Sequence, residues 1–100
     1  MQNDLDWFCG WVAKHCDDEW EHGYPVILDT YDNPGWRLRV NLENSAMRSR
    51  QVLPLVDGLP GDDRWFSCRI DGGMFHGACD LAQLPRLLKV FREWAEMSAE

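Results

Sequence analysis

The sequence lacks long apolar runs, and nothing at its start resembles an export signal. No uninterrupted apolar run exceeds five residues, as in the stretch over residues 52–56, and a membrane-spanning helix needs about 20. The segment after Met1 carries Asp4 and Asp6 where a secretory signal would carry basic residues, and no apolar core follows. We therefore expect a cytoplasmic protein that does not contact a membrane.

Common motifs of catalysis and metal binding are also missing. The chain has no Gly-x-Ser-x-Gly, no His-Glu-x-x-His and no phosphate-loop glycine pattern. Its four cysteines form no Cys-x-x-Cys pair, which is the arrangement that places two zinc ligands on one tight turn. A metal-binding module would have to combine scattered residues, namely Cys9, His15, Cys16, His22, Cys68, His76 and Cys79. We expect reduced thiols and no cofactor.

The composition is that of one folded domain. The chain has 100 residues, of which 45% are apolar, 12% aromatic and 27% charged, and these proportions indicate a globular rather than a disordered protein. A single domain over residues 1–100 is predicted. Because a domain of this size has too little interior for a deep cleft, any site is expected to be shallow or to be completed by a partner.

Positive charge is scarce, and the excess negative charge is concentrated in the first third of the chain. Ten basic and 17 acidic residues give a net charge of −7. Residues 1–35 hold eight acidic residues and one basic residue, so they contain the whole excess. Phosphate backbones attract clustered cations. Nucleic acid is therefore not expected as a ligand, whereas a basic protein surface is.

Hydrophobic periodicity predicts an α+β fold with a helix at each end. The first helix is capped by Asn3 or Asp4 and presents an apolar stripe of Leu5, Phe8, Cys9, Val12 and Cys16. The last helix has an apolar face made by Leu84, Leu87, Leu88, Phe91, Trp94 and Ala95. Proline is tolerated only in the first turn of a helix, so Pro85 places the start of this helix near Gln83.

Between the helices, alternating patterns predict an antiparallel sheet of about five strands built from hairpins, with both helices packed on it. The predicted strands cover residues 24–31, 36–43, 52–56, 64–70 and 74–79. Pro54 makes the third of them an edge strand. In the turn Asp32-Asn-Pro-Gly35, proline fixes φ and Gly35 is expected to accept a positive φ. Residues 44–50 are predicted to form a loop.

The most distinctive segment is Cys16-Asp-Asp-Glu-Trp-Glu-His22, which has four carboxylates in five positions. One interpretation is a small acid/base enzyme in which Glu19, Glu21 and His22 transfer protons. The alternative is a solvated acidic loop with Trp20 packed beneath it. No nucleophile accompanies the segment, and this favours the second interpretation.

The chain has six tryptophans, and aromatic residues are common both in cores and at interface hot spots. Trp36, Trp65 and Trp94 occupy core positions of the predicted elements. Trp11 and Trp20 lie near the acidic segment, where rings and carboxylates together would suit a basic protein partner. The alternative is that these rings cover the edges of a small core.

Three motifs in order along the chain resemble the bacterial immunity protein 53 (Imm53) family. They are Trp20-Glu-His22, the segment Thr30-Tyr-Asp-Asn-Pro-Gly-Trp36, and Phe91-Arg-Glu-Trp-Ala95 in the last helix. The chain departs from the family pattern in having no glycine between the acids at Asp17-Asp18 and no proline directly after Asp80.

The resemblance implies a cytosolic protein that binds and neutralises a cognate toxin of a bacterial polymorphic toxin system, without catalysis. We expect the toxin to present a basic surface. The residues predicted to bind it are Asp17, Asp18, Glu19, Trp20, Glu21, His22, Asp32 and Trp11.

Overall fold

Two helices cover one face of a five-stranded antiparallel sheet in the computed structural model, which describes residues 3–31, 34–59 and 61–97. The helices are α1 (Asp4–His15) and α2 (Leu84–Met97). The strands are β1 (Val26–Tyr31), β2 (Gly35–Asn41), β3 (Leu55–Asp57), β4 (Phe66–Asp71) and β5 (Met74–Asp80). The strand order is β1-β2-β5-β4-β3, with every neighbouring pair antiparallel. The predicted α+β fold is confirmed.

Helix α1 begins as predicted but buries a different face. The Asn3 side chain accepts a hydrogen bond from the Asp6 N–H at 2.7 Å and caps the helix. The buried side carries Phe8, Trp11 and His15, whereas Leu5, Cys9 and Cys16 are exposed. The predicted stripe is therefore right for Phe8 and wrong for Leu5, Cys9 and Cys16. Two aromatic rings bury more apolar area than a leucine and a cysteine, so the helix turns the rings inward.

Helix α2 follows its prediction closely. It starts at Leu84 with Pro85 as its second residue, after the short 3₁₀ helix Leu81–Gln83. Proline costs no hydrogen bond in this first turn, because the amide donors there have no partner within the helix. The Asp80 side chain accepts a hydrogen bond from the Ala82 N–H at 3.0 Å and orders the approach to the helix.

The core lies between the helices and the inner face of the sheet. Leu38 and Val40 of β2 and Phe75 of β5 are fully buried on this face, in contact with the layer that contains Phe91 of α2. Strand β3 has three residues and lies at the edge of the sheet, as Pro54 predicted. Residues 44–50 are not a simple loop, because the 3₁₀ helix Ala46–Ser49 inserts Met47 into the core.

The turn before β2 needs glycine for a reason other than the predicted one. Asp32 and Asn33 lie outside the described residues. Gly35 is not among the glycines with positive φ, so that expectation is wrong. A side chain at Gly35 would overlap the ring of Trp65 and the carbonyl oxygen of Cys79. The position is restricted to glycine by close packing at the end of the sheet.

Candidate functional site

The acidic loop, residues 17–22, is folded by two of its own carboxylates. Asp17 Oδ1 accepts hydrogen bonds from the N–H groups of Glu19 at 3.0 Å and Trp20 at 2.9 Å. The Glu21 carboxylate reaches back and accepts from the N–H groups of Asp17 at 2.9 Å and Asp18 at 2.8 Å. Backbone hydrogen bonds to the charged form lower the pKa of Asp17 and of Glu21. Both carboxylates therefore serve the loop's own conformation.

Asn44 fixes the acidic loop against the segment that follows β2. Its Nδ2 donates to Asp17 Oδ2 and to the His15 carbonyl oxygen, each at 3.1 Å. Asp18 has a φ of 74°, which is a left-handed conformation that Asp and Asn adopt more readily than most residues. Asp18 and Glu19 are exposed, and among the described residues their carboxylates accept no hydrogen bond. Asp18 and Glu19 are therefore the exposed carboxylates of the loop that no hydrogen bond within the described residues uses.

Trp11 and Trp20 hold the acidic loop to the core and are not exposed binding residues. They are 5% and 7% exposed, with ring centroids 6.0 Å apart in an edge-to-face contact. The indole N–H of Trp20 donates to the Asn41 carbonyl oxygen at 3.1 Å. The prediction that these rings offer contact area to a partner is wrong, because the small core takes them up first. His22 is exposed in the 3₁₀ helix Trp20–Gly23, and Asp32 lies outside the described residues.

A shallow acidic depression of about 270 Å³ forms where the acidic loop meets the end of β2. Asp17 and Glu19 line it from the loop, and Glu43 and Asn44 line it from the opposite side. Glu43 is not among the residues predicted from the sequence, since an isolated acid at the end of a strand carries no signal of its own. The fold thus enlarges the acidic surface with a residue from another segment.

The geometry of the acidic loop does not favour the enzyme interpretation. Glu21 is held by two backbone N–H groups and its pKa is lowered, whereas a general acid near neutral pH needs a raised pKa. Among the described residues there is no group of three or more His, Cys, Asp or Glu side chains able to hold a metal. Burial raises the pKa of Cys68 to about 12 and that of Cys79 to about 11.

The face of the sheet that the helices leave open carries a cluster of arginines. Arg39 in β2, His76 in β5 and Arg69 in β4 are direct cross-strand neighbours. Together with Arg37 and Ser67 they line a depression of about 320 Å³. This cluster is not among the predicted sites. Alternation in β2 predicts that Arg37 and Arg39 share one face. His76 and Arg69 join them only because β5 and β4 follow β2 in the sheet, and no sequence pattern indicates that strand order.

No helix within the described ranges is both long enough and apolar enough to span a membrane.

The fold and its surfaces define a small α+β domain whose candidate sites are shallow charged patches. The sequence model of the family Immunity protein 53, Imm53, matches residues 5–96. The chain therefore belongs to the Imm53 family, as the three motifs indicated, and membership implies an immunity protein with a toxin partner. Comparisons with curated proteins and with solved structures find no match.

Proposed function

We propose that this immunity protein acts in the cytoplasm and neutralises its toxin by covering a basic surface of that toxin with the acidic loop and Glu43. The observation that carries the proposal is the family match over residues 5–96. The exposure of Asp18 and Glu19 beside the acidic depression supports this choice of surface. A toxin that binds an anionic substrate would have a complementary cationic groove.

Within the acidic loop, some side chains fix the backbone and others are free to contact the toxin. Asp17, Glu21 and the buried ring of Trp20 fix the backbone, so the exposed carboxylates are already positioned before the toxin arrives. Such preorganisation lowers the entropic cost of association. The exposed carboxylates then steer the toxin and occupy positions that would otherwise receive its anionic substrate.

The test of the proposed function is co-expression with the polypeptide encoded beside this chain. We expect the pair to grow where the neighbouring polypeptide alone is toxic, and to purify as a stoichiometric complex. Association should weaken between about 50 and 500 mM salt, because solvent-exposed charges are screened. A chain that neither protects cells nor forms the complex would contradict the proposal.

Two matched glutamates test the surface itself. Glu19→Lys reverses a charge on the acidic loop, and Glu93→Lys makes the same change on an exposed position of α2. We expect Glu19→Lys to slow association by about tenfold or more through lost steering and new repulsion, and Glu93→Lys to leave the rate close to that of the wild type. Equal effects of the two substitutions would show that only net charge matters and that the acidic loop is not the contact.

A further inference from the structure

The open face of the sheet presents two cations that the fold leaves without a counter-charge. Arg37 is neutralised by Asp29 on the neighbouring strand, with Nε to Oδ1 at 2.8 Å. Arg39 and Arg69, by contrast, make no ion pair and no side-chain hydrogen bond within the described part of the chain. Arg39 Nε is in addition buried without an acceptor there.

Both arginines of α2, by contrast, are ion-paired. Arg86 on α2 lies 2.9 Å from the carboxylate of Asp57, and Arg92 is bonded to Asp4 at 3.3 Å and to Glu96 at 3.2 Å. Arg39 and Arg69 lie on the two strands that flank β5, and neither has an ion-pair partner among the described residues although the chain has 17 acidic residues. Cations held near one another repel each other, and a buried donor without an acceptor costs free energy. Among the described residues, neither side chain makes an interaction that would offset these costs.

His76 separates the two arginines and is expected to contribute little positive charge near neutral pH. Burial is the largest cause lowering its pKa, and Arg69 and Arg39 lower it further, while the carboxylate of Asp71 raises it. The imidazole is thus a neutral hydrogen-bonding group between two guanidinium groups. The floor of the depression contains the small residues Ser67, Gly77 and Ala78, so a side chain from outside has room to enter.

We propose that this depression, lined by Arg37, Arg39, Ser67, Arg69 and His76, is a second contact for the toxin, and that it receives a carboxylate from an acidic segment of that toxin. The inference rests on the proposed function and adds the chemistry of a second contact. Guanidinium groups bind carboxylates through two parallel hydrogen bonds. Arg39 and Arg69 flank the depression from β2 and β4, the strands on either side of β5.

The surroundings of the depression favour a discrete carboxylate over a nucleic acid. Asp29 lies beside it on β1, and Asp71 ends β4 near its opposite side. A phosphate backbone is charged along its whole length and would be repelled by these acids and by a net charge of −7. A single acidic side chain avoids them. Contacts of both signs, at the acidic loop and on the open face, would also fix the orientation of the toxin.

The test compares two substitutions that change net charge equally, using the purified toxin as the probe. Arg69→Glu reverses an exposed cation of the open face, and Lys89→Glu reverses an exposed cation on α2. We expect Arg69→Glu to raise Kd by at least about tenfold, and Lys89→Glu to leave Kd within about threefold of the wild type. Arg39→Ala should also weaken binding, and replacing a carboxylate of the toxin by Arg should restore affinity to Arg69→Glu.

The outcomes separate this inference from the proposed function. If Arg69→Glu and Arg39→Ala both bind the toxin as the wild type does, the second contact is wrong while the immunity function stands. If the wild-type chain neither binds the toxin nor protects cells, both the second contact and the immunity function are wrong.

A short labelled single-stranded RNA is the other probe. Binding of this RNA to the wild type that disappears in Arg69→Glu, with toxin affinity unchanged, would assign the cluster to nucleic acid and overturn the inference. Because Arg69 is exposed, its substitution tests binding without perturbing the core.

Discussion

The two faces of the sheet are made by alternate residues of the same strands, yet they have opposite physical characters. In β2, Leu38 and Val40 are buried under the helices while Arg39 between them faces the open side. In β5, Phe75 is fully buried and its neighbour His76 lines the cationic depression. A shift of one residue along the chain thus moves a side chain from the core to a candidate interface. Stability and binding should therefore be separable by substitution.

The comparison also shows what net charge conceals. The chain carries −7 overall, but a depression on its open sheet face is lined by three arginines. Two of the four carboxylates in the acidic loop are occupied by backbone N–H groups. The charges available to a partner are those that no hydrogen bond or ion pair within the fold already uses. They are identified by accounting for each side chain, and the acid-to-base ratio does not reveal them.

The largest effect is expected on the covered face, from Phe91→Ala. The Phe91 ring contacts Phe8 at 5.2 Å, Trp11 at 4.9 Å and Phe75 at 5.0 Å between centroids, so it joins both helices to the sheet. Removing a fully buried Phe side chain costs about 3–5 kcal/mol of unfolding free energy. Urea titration followed by tryptophan fluorescence measures the loss. A cost below about 1 kcal/mol would mean that the core does not depend on this helix in the way the structure indicates.

An intermediate effect is expected at Asp80, where β5 leaves the sheet and the two faces meet. Asp80 Oδ2 accepts from the Trp65 N–H at 3.0 Å and from Gln83 Nε2 at 2.6 Å. Asp80→Asn places an amide N–H₂ or a neutral oxygen against two donors, so we expect a lower free energy of unfolding at neutral pH.

The pH dependence of stability gives this substitution a distinct signature. The hydrogen bond from Gln83 and the Trp65 N–H hold the pKa of Asp80 below its ordinary value of 3.8. A carboxyl whose pKa is lower in the folded state stabilises the fold above pH 3.8, and this contribution disappears as pH falls through the folded-state pKa. The wild type should therefore lose more stability than Asp80→Asn between neutral pH and the acid limb. Parallel curves for the two proteins would contradict the assignment.

The sequence predicted the fold well where a single hydrophobic period dominates a segment and where proline restricts the local backbone. The face of α2, the alternation of β2 and the edge position of β3 follow from the residues themselves, since Pro85 and Pro54 act through local sterics. The face of α1 was mispredicted because apolar residues recur at three- and four-residue spacing on two overlapping faces. One face contains Leu5 and Cys9, and the other contains Trp11. Only packing against Phe91 decides between them.

The candidate site was less predictable than the fold. Residues 17–22 were identifiable as acidic, but which carboxylates remain exposed depends on the directions of backbone N–H groups in a compact loop. Glu43 joins that surface from the end of β2. The cationic face requires the strand order β1-β2-β5-β4-β3, in which β5 lies between β2 and β4. Pairings between segments far apart in sequence are set by the whole core, so no short pattern reports them.

The smallest effect on stability is expected from Arg69→Ala on the open face, and it would sharpen the comparison most. Arg69 is exposed, and its side chain makes no hydrogen bond or ion pair with the described residues. Truncation should therefore change the free energy of unfolding by no more than about 0.5 kcal/mol. Loss of the repulsion between Arg69 and Arg39 offsets part of any cost. Urea titration alongside Phe91→Ala measures both faces in one experiment. A loss above about 2 kcal/mol would assign Arg69 a structural role. The open face would then contribute to stability and could not be treated as a surface available only for binding.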